Sequence, residues 1–170
     1  HRAVASATVY EAFNFCLEVD IKYVDRDMFI TMICRGQGWA EAVFVSTKSG
    51  PETILAIELT WICRYGPPAI LRADPGKEFD NILMRDLARR RSIRLEGTAG
   101  GQHWGVGAIE NFNATLAENY PILRKEFPAA PKRLIVGRIV ETHNTLSVYR
   151  GLAPCVRVLG RVPRLPGVFD

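Results

Sequence analysis

The chain has 170 residues, 48% hydrophobic and 24% charged, with 22 Lys and Arg against 18 Asp and Glu for a formal charge of +4. Those proportions suit a globular domain large enough to bury a core, and no apolar run approaches the roughly 20 residues of a membrane-spanning helix. The mild basic excess permits a polyanionic partner without requiring one. Cys16, Cys34, Cys63 and Cys155 are scattered with no CxxC pair, which argues against a zinc site. The first three lie in apolar stretches and read as reduced core residues of an intracellular protein. The N-terminal HRAVASATVYEAF carries neither an initiator Met nor a signal pattern, so the chain is expected to be a piece of a longer protein.

The first strand is expected within Phe13–Val24, where Phe15, Leu17, Val19 and Ile21 alternate with Cys16, Glu18, Asp20 and Lys22. Period two puts the apolar set on one face and Asp20 on the other. Asp25-Arg26-Asp27 is the turn to a second strand over Met28–Cys34, and Trp39–Val45 is a third, which together suggest an antiparallel meander. A helix starts at Ser49-Gly50-Pro51-Glu52 and runs to about Arg64, stopped by Gly66-Pro67-Pro68. A short strand over Ala69–Ala73 follows, then a helix over Phe79–Arg91 that buries Ile82, Leu83 and Leu87, then a brief fifth strand over Ser92–Leu95.

The glycine-rich Gly97–Gly107 reads as a loop. A helix is expected from Ala108 with Ile109, Phe112 and Leu116 inward, kinked or ended by Pro121. Another spans Lys132 to about Leu146, with Leu134, Ile135, Ile139 and Val140 inward. The tail from Gly151, rich in Pro, Gly and Arg, promises little regular structure. Three strands, helix, strand, helix, strand and then helices make an α/β chain whose sheet is partly antiparallel.

Three acids stand out by position. Asp20 is on the polar face of the first strand, Asp74 is just past the tip of the fourth, and Glu110 is in the first turn of the helix after the glycine loop. Carboxylates from three elements are what a hard divalent cation takes as ligands, and two such ions could clamp an in-line phosphoryl displacement. Each acid also has an ordinary reading: Asp74 as turn chemistry, Glu110 as a partner for the helix dipole, Asp20 as half of an ion pair. Periodicity alone does not bring them together.

Four segments resemble the catalytic cores of retroviral and LTR-retrotransposon integrases, the DDE polynucleotidyl transferases of the ribonuclease H-like superfamily. They are LEVDIKYV around Asp20, RYGPPAILRADPGKEF around Asp74, GVGAIENFNATL around Glu110, and the tail THNTLSVYRGLAPCVRVLGRVPRLP with Asn144. The 53 residues between Asp20 and Asp74 and the 35 between Asp74 and Glu110 match the family's D,D(35)E spacing.

The resemblance implies a ribonuclease H-like fold, a mixed five-stranded sheet with its first three strands antiparallel, in one core domain over 1–170 (about 13–166) cut from a polyprotein. It implies metal-dependent 3′-end processing and strand transfer of DNA. Asp20, Asp74 and Glu110 would be the catalytic residues and the ligands of Mg²⁺ or Mn²⁺, in two ions. Gly76 and Asn113 would support the site, and Gln102 and His103 would be DNA contacts in the glycine loop. The partners implied are element ends, target DNA and further copies of the chain, with no membrane; the place of action is intracellular, in the nucleus.

The match departs at Pro75, Asn111, Ala114, Ala117 and Cys34, where relatives carry more polar, basic or acidic residues. Two alternatives therefore stand beside it. One is another ribonuclease H-like nuclease or transposase. The other is a decayed core that only binds DNA or dimerises, with Arg89-Arg90-Arg91 as a phosphate-contacting patch.

Overall fold

A computed structural model describes residues 12–73, 79, 81–97 and 107–163. Strands β1 (Cys16–Val24), β2 (Asp27–Cys34) and β3 (Ala40–Val45) form the expected antiparallel meander. The β1–β2 hairpin closes on Asp25 at φ 53, a left-handed position that Asp tolerates better than most residues. Strands β4 (Ile70–Ala73) and β5 (Arg94–Gly97) pair parallel to β1, giving the order β3-β2-β1-β4-β5. The strand order therefore reverses between β1 and β4, the kind of switch point at which open α/β sheets place their ligands.

Helix α1 (Gly50–Ile57) starts as the sequence indicates. Ser49 Oγ accepts from Glu52 N at 3.4 Å, and Pro51 occupies the first turn. The helix does not run evenly to Arg64. It passes through a π-helical stretch, Glu58–Ile62, into the short α2 (Cys63–Tyr65). Apolar spacing is too coarse to register one extra residue per turn. Cys63 is exposed here and is not a core residue.

Helix α3 covers Ile82–Arg91, with Asn81 Oδ1 capping Met84 N at 2.9 Å. Its buried residues are Met84, Leu87 and Ala88, which share one face at three- and four-residue spacing; Ile82 and Leu83 lie in the first turn off that face and are exposed, against expectation. Arg89 and Arg90 pair with Asp86, and Arg91 pairs with Glu58, so that triplet is largely a set of local ion pairs.

Helix α4 (Gly107–Glu126) buries Ile109, Phe112, Leu116 and Tyr120 and continues through Pro121. Tyr120 before the proline and Leu123 after it both pack into the core, which holds the chain helical where one amide is missing. Helix α5 (Lys132–Leu146) buries Ile135, Val136, Ile139 and Val140, while Leu134 is exposed. The tail is not irregular: α6 covers Pro154–Leu159.

The sheet is covered on both faces. Leu17, Val19, Ile30 and Met32 pack against Ile57, Trp61, Met84 and Leu87 on the α1–α3 side. Phe29, Ile33 and Ala40 pack against Phe112, Leu116, Val136 and Ile139 on the α4–α5 side. Asn144 of α5 closes a two-bond clasp on the β3 backbone, accepting from Ala40 N and donating to Ala40 O, each at 2.8 Å. Gly38, at φ +74 before β3, lies under the Tyr149 ring, where a Cβ would come within 2.5 Å of the ring carbon. No helix among the described residues is long and apolar enough to cross a membrane.

Candidate active site

The α4–α5 face changes character at β1. Leu17, Val19 and Ile21 belong to the opposite core, so β1 presents Glu18, Asp20 and Lys22 toward α4. Asp20 is half-buried. Its Oδ1 accepts from its neighbour's amide, Ile21 N, at 2.8 Å, and its Oδ2 accepts from Asn113 Nδ2 at 2.7 Å. Asn113 is buried on α4, one turn beyond Glu110. The charge of Asp20 fixes which way the Asn113 amide points, since a flip would set oxygen against oxygen. Asn113 Oδ1 is left buried without a hydrogen-bond partner among the described residues.

This bond sets the position of Glu110. Three residues along an α-helix is about 4.5 Å of rise, so clamping Asn113 to Asp20 brings the first turn of α4 beside β1. Glu110 is exposed there, at the rim rather than in the packed face. Its charge reaches the buried Glu18, where it opposes ionisation.

Asp74, Gly76, Gln102 and His103 lie outside the described residues. Strand β4 is described to Ala73, whose Cα partner on β1 is Val19, next to Asp20. Asp74 follows Ala73 by one peptide bond, about 3.8 Å between Cα atoms. Among the described residues no group of three or more His, Cys, Asp and Glu side chains is gathered closely enough to hold a metal. The donor set itself suits a hard cation. Asp20 offers carboxylate oxygens on a half-exposed side chain, and Glu110 offers another on an open rim, where ligand and substrate oxygens can share the coordination shell.

Glu18 is the residue that sequence reading passed over. It is 2% exposed, beneath the start of α4, with Arg35 Nη1 at 3.5 Å and Arg72 Nη1 at 3.9 Å. Burial raises its carboxyl above the ordinary range; Arg35 and Arg72 pull it part way back. The signal was available in LEVD: Glu18 shares its face with Asp20. What the sequence did not disclose is that α4 covers that position.

A mixed sheet of order β3-β2-β1-β4-β5 with helices on both faces is the ribonuclease H-like fold. Within it, the chain has the fold of retroviral integrase catalytic cores. It superposes on the catalytic core domain of BIV integrase with a TM-score of 0.75, at 15% identity over 86% of this chain and 95% of that one. An HTLV-2 integrase catalytic core domain in complex with magnesium gives 0.72, at 16% identity over 85% of this chain and 97% of that one. A simian T-cell lymphotropic virus intasome gives 0.77, at 16% identity over 95% of this chain and 62% of that one.

In sequence, a retrovirus-related Pol polyprotein from transposon 412 of Drosophila melanogaster is 29% identical over 89 residues, 52% of this chain. The chain spans about 7% of the length of that curated relative. No protein-family model matches the chain. The resemblance carried by the four sequence segments is thus borne out in the fold.

Proposed function

We propose that this chain is the catalytic core of a retroelement integrase, a piece of a Pol-type polyprotein that cuts and joins DNA strands. One observation carries the reading: the 2.7 Å bond from Asn113 to Asp20, which sets the Glu110 turn beside the strand that bears Asp20, in a fold shared with integrase cores.

In this proposal Asp20, Asp74 and Glu110 hold one or two Mg²⁺ or Mn²⁺ ions. When bound, such ions activate an attacking oxygen and stabilise the leaving one in an in-line phosphoryl displacement. The chain's own part is placement. Asn113 and the Ile21 amide orient Asp20, so that its carboxylate need not reorganise when a cation and a phosphodiester arrive. Glu110, on the exposed first turn of α4, closes the site from the helix side. Gly76 supports the turn after Asp74, and Gln102 and His103 meet the DNA end.

The partners are element ends, target DNA and further copies of the chain, and action on chromosomal DNA places it in the nucleus. Two features of the neighbours support the metal and the assembly: an HTLV-2 core is in complex with magnesium in trimeric and dimeric forms, and the simian virus protein is in an intasome.

The test is strand transfer by the purified chain on a labelled branched DNA substrate, with Mg²⁺ or Mn²⁺, beside Glu110→Gln. Joining that requires metal and disappears in the variant is expected. Joining that persists in Glu110→Gln would remove Glu110 from the proposed site. Cleavage of RNA in a hybrid without DNA joining would reassign the chain to another ribonuclease H-like nuclease.

A further inference from the structure

Glu18 is a carboxylate in an expensive place. Neither of its oxygens accepts a hydrogen bond from the described residues. Its two arginines stand at 3.5 and 3.9 Å, and the Ile109 amide of α4 favours the charged form. A buried carboxylate so loosely paired repays little of its desolvation.

Its neighbours suggest what it does. Arg72 is its Cα partner on β4, two residues before Asp74, and bonds onward to Glu96 of β5 at 2.8 Å. Ile109 and Glu110 open α4. Arg35 follows the end of β2, and its carbonyl accepts from the Tyr149 hydroxyl at 2.6 Å. The strand of Asp20, the strand that leads to Asp74 and the helix of Glu110 all meet at this one side chain.

We propose that Glu18 is a positioning residue for the metal site. Its carboxylate ties β4 to β1 through Arg72 and seats the first turn of α4, so that Glu110 is held beside Asp20. This rests on the integrase reading of the site. Arg35 belongs to the same device, because it holds the Glu18 carboxylate from the β2 side.

Two readouts test it. The first is calorimetric titration of Mn²⁺ and Mg²⁺ into the chain, beside Glu18→Gln and Arg35→Gln. Glu18→Gln keeps the shape and is expected to weaken metal binding by about tenfold, the usual cost of losing a supporting residue behind the ligands. Arg35→Gln separates positioning from plain electrostatics. Removing a cation near the site tightens metal binding if Glu18 merely adds negative potential, and weakens it if Arg35 and Glu18 hold the ligands in place. Unchanged binding in Glu18→Gln, or tighter binding in Arg35→Gln, overturns the proposal.

The second readout needs no metal. Amide exchange at Asn111–Asn113, whose amides bond to carbonyls of the first turn of α4, is expected to quicken in Glu18→Gln while β1 and the rest of α4 keep their protection. Equal exchange in both proteins overturns the seating of α4. Should the parent chain bind no metal, the integrase reading falls, and exchange still decides what Glu18 does to the helix.

Discussion

Two buried glutamates lie on opposite faces of one sheet and are held in opposite ways. Glu41 of β3 faces the α1–α3 side. Its Oε1 accepts from the Tyr65 hydroxyl at 2.6 Å and from Arg64 at 3.5 Å, and the Tyr65 oxygen in turn accepts from Trp39 Nε1 at 3.1 Å. Glu18 of β1 faces α4 and accepts no such bond. Burial raises both carboxyls above the ordinary range, so both acids cost the fold something. Glu41 is compensated by a closed network, which is how a structural acid survives in a core. Glu18 is not, and it lies two residues from Asp20. The acid that points to function is the poorly satisfied one beside other carboxylates.

Tyr65→Phe removes the shortest donor to Glu41 and leaves that buried acid to Trp39 and a long arginine contact. A loss of about 2 kcal/mol in denaturant unfolding is expected, with metal binding by the remaining folded protein unchanged. Lost metal binding would show that the α1–α3 side is not merely structural. Asn113→Ala on the other face has the smaller effect on folding, about 1 kcal/mol, since Asp20 is half-exposed and water can replace the amide. Its effect on metal-dependent strand transfer is expected to be far larger, about tenfold or more. Full transfer activity in Asn113→Ala would mean that the 2.7 Å bond to Asp20 is packing without consequence.

Much of this architecture was legible in the residues, for reasons that can be named. The first three strands show because one face of β1 is apolar at period two and β2 and β3 are β-branched and short. Ser49 and Pro51 mark the start of α1 because capping is local chemistry. The inward face of α4 shows because Ile109, Phe112, Leu116 and Tyr120 keep helical spacing over three turns.

What escaped depends on contacts across the fold. Leu134 and Ile82 are apolar and on helices, yet both are exposed. Pro121 reads as a breaker, but Tyr120 and Leu123 dock on either side of it and the helix runs on. The tail carried a signal that composition hid: Pro154 in the first turn of α6 and Gly160 at φ 71 after its end are an ordinary helix start and stop. For the site, the family resemblance implies a supporting role for Asn113 but does not say that Asp20 is the carboxylate it holds. That Glu18 is sealed beneath α4 follows from nothing in the sequence alone, because it depends on where the helix comes to rest.

The central claim is that Asp20, Asp74 and Glu110 share a divalent cation. Anomalous diffraction from crystals of the chain grown with Mn²⁺ tests it without an assay or a substrate. The account predicts an Mn²⁺ peak about 2.2 Å from carboxylate oxygens of both Asp20 and Asp74, with Glu110 on the same ion or on a second one about 4 Å away. A peak elsewhere on the protein, or Asp74 turned away from Asp20 with no ion between them, would contradict it.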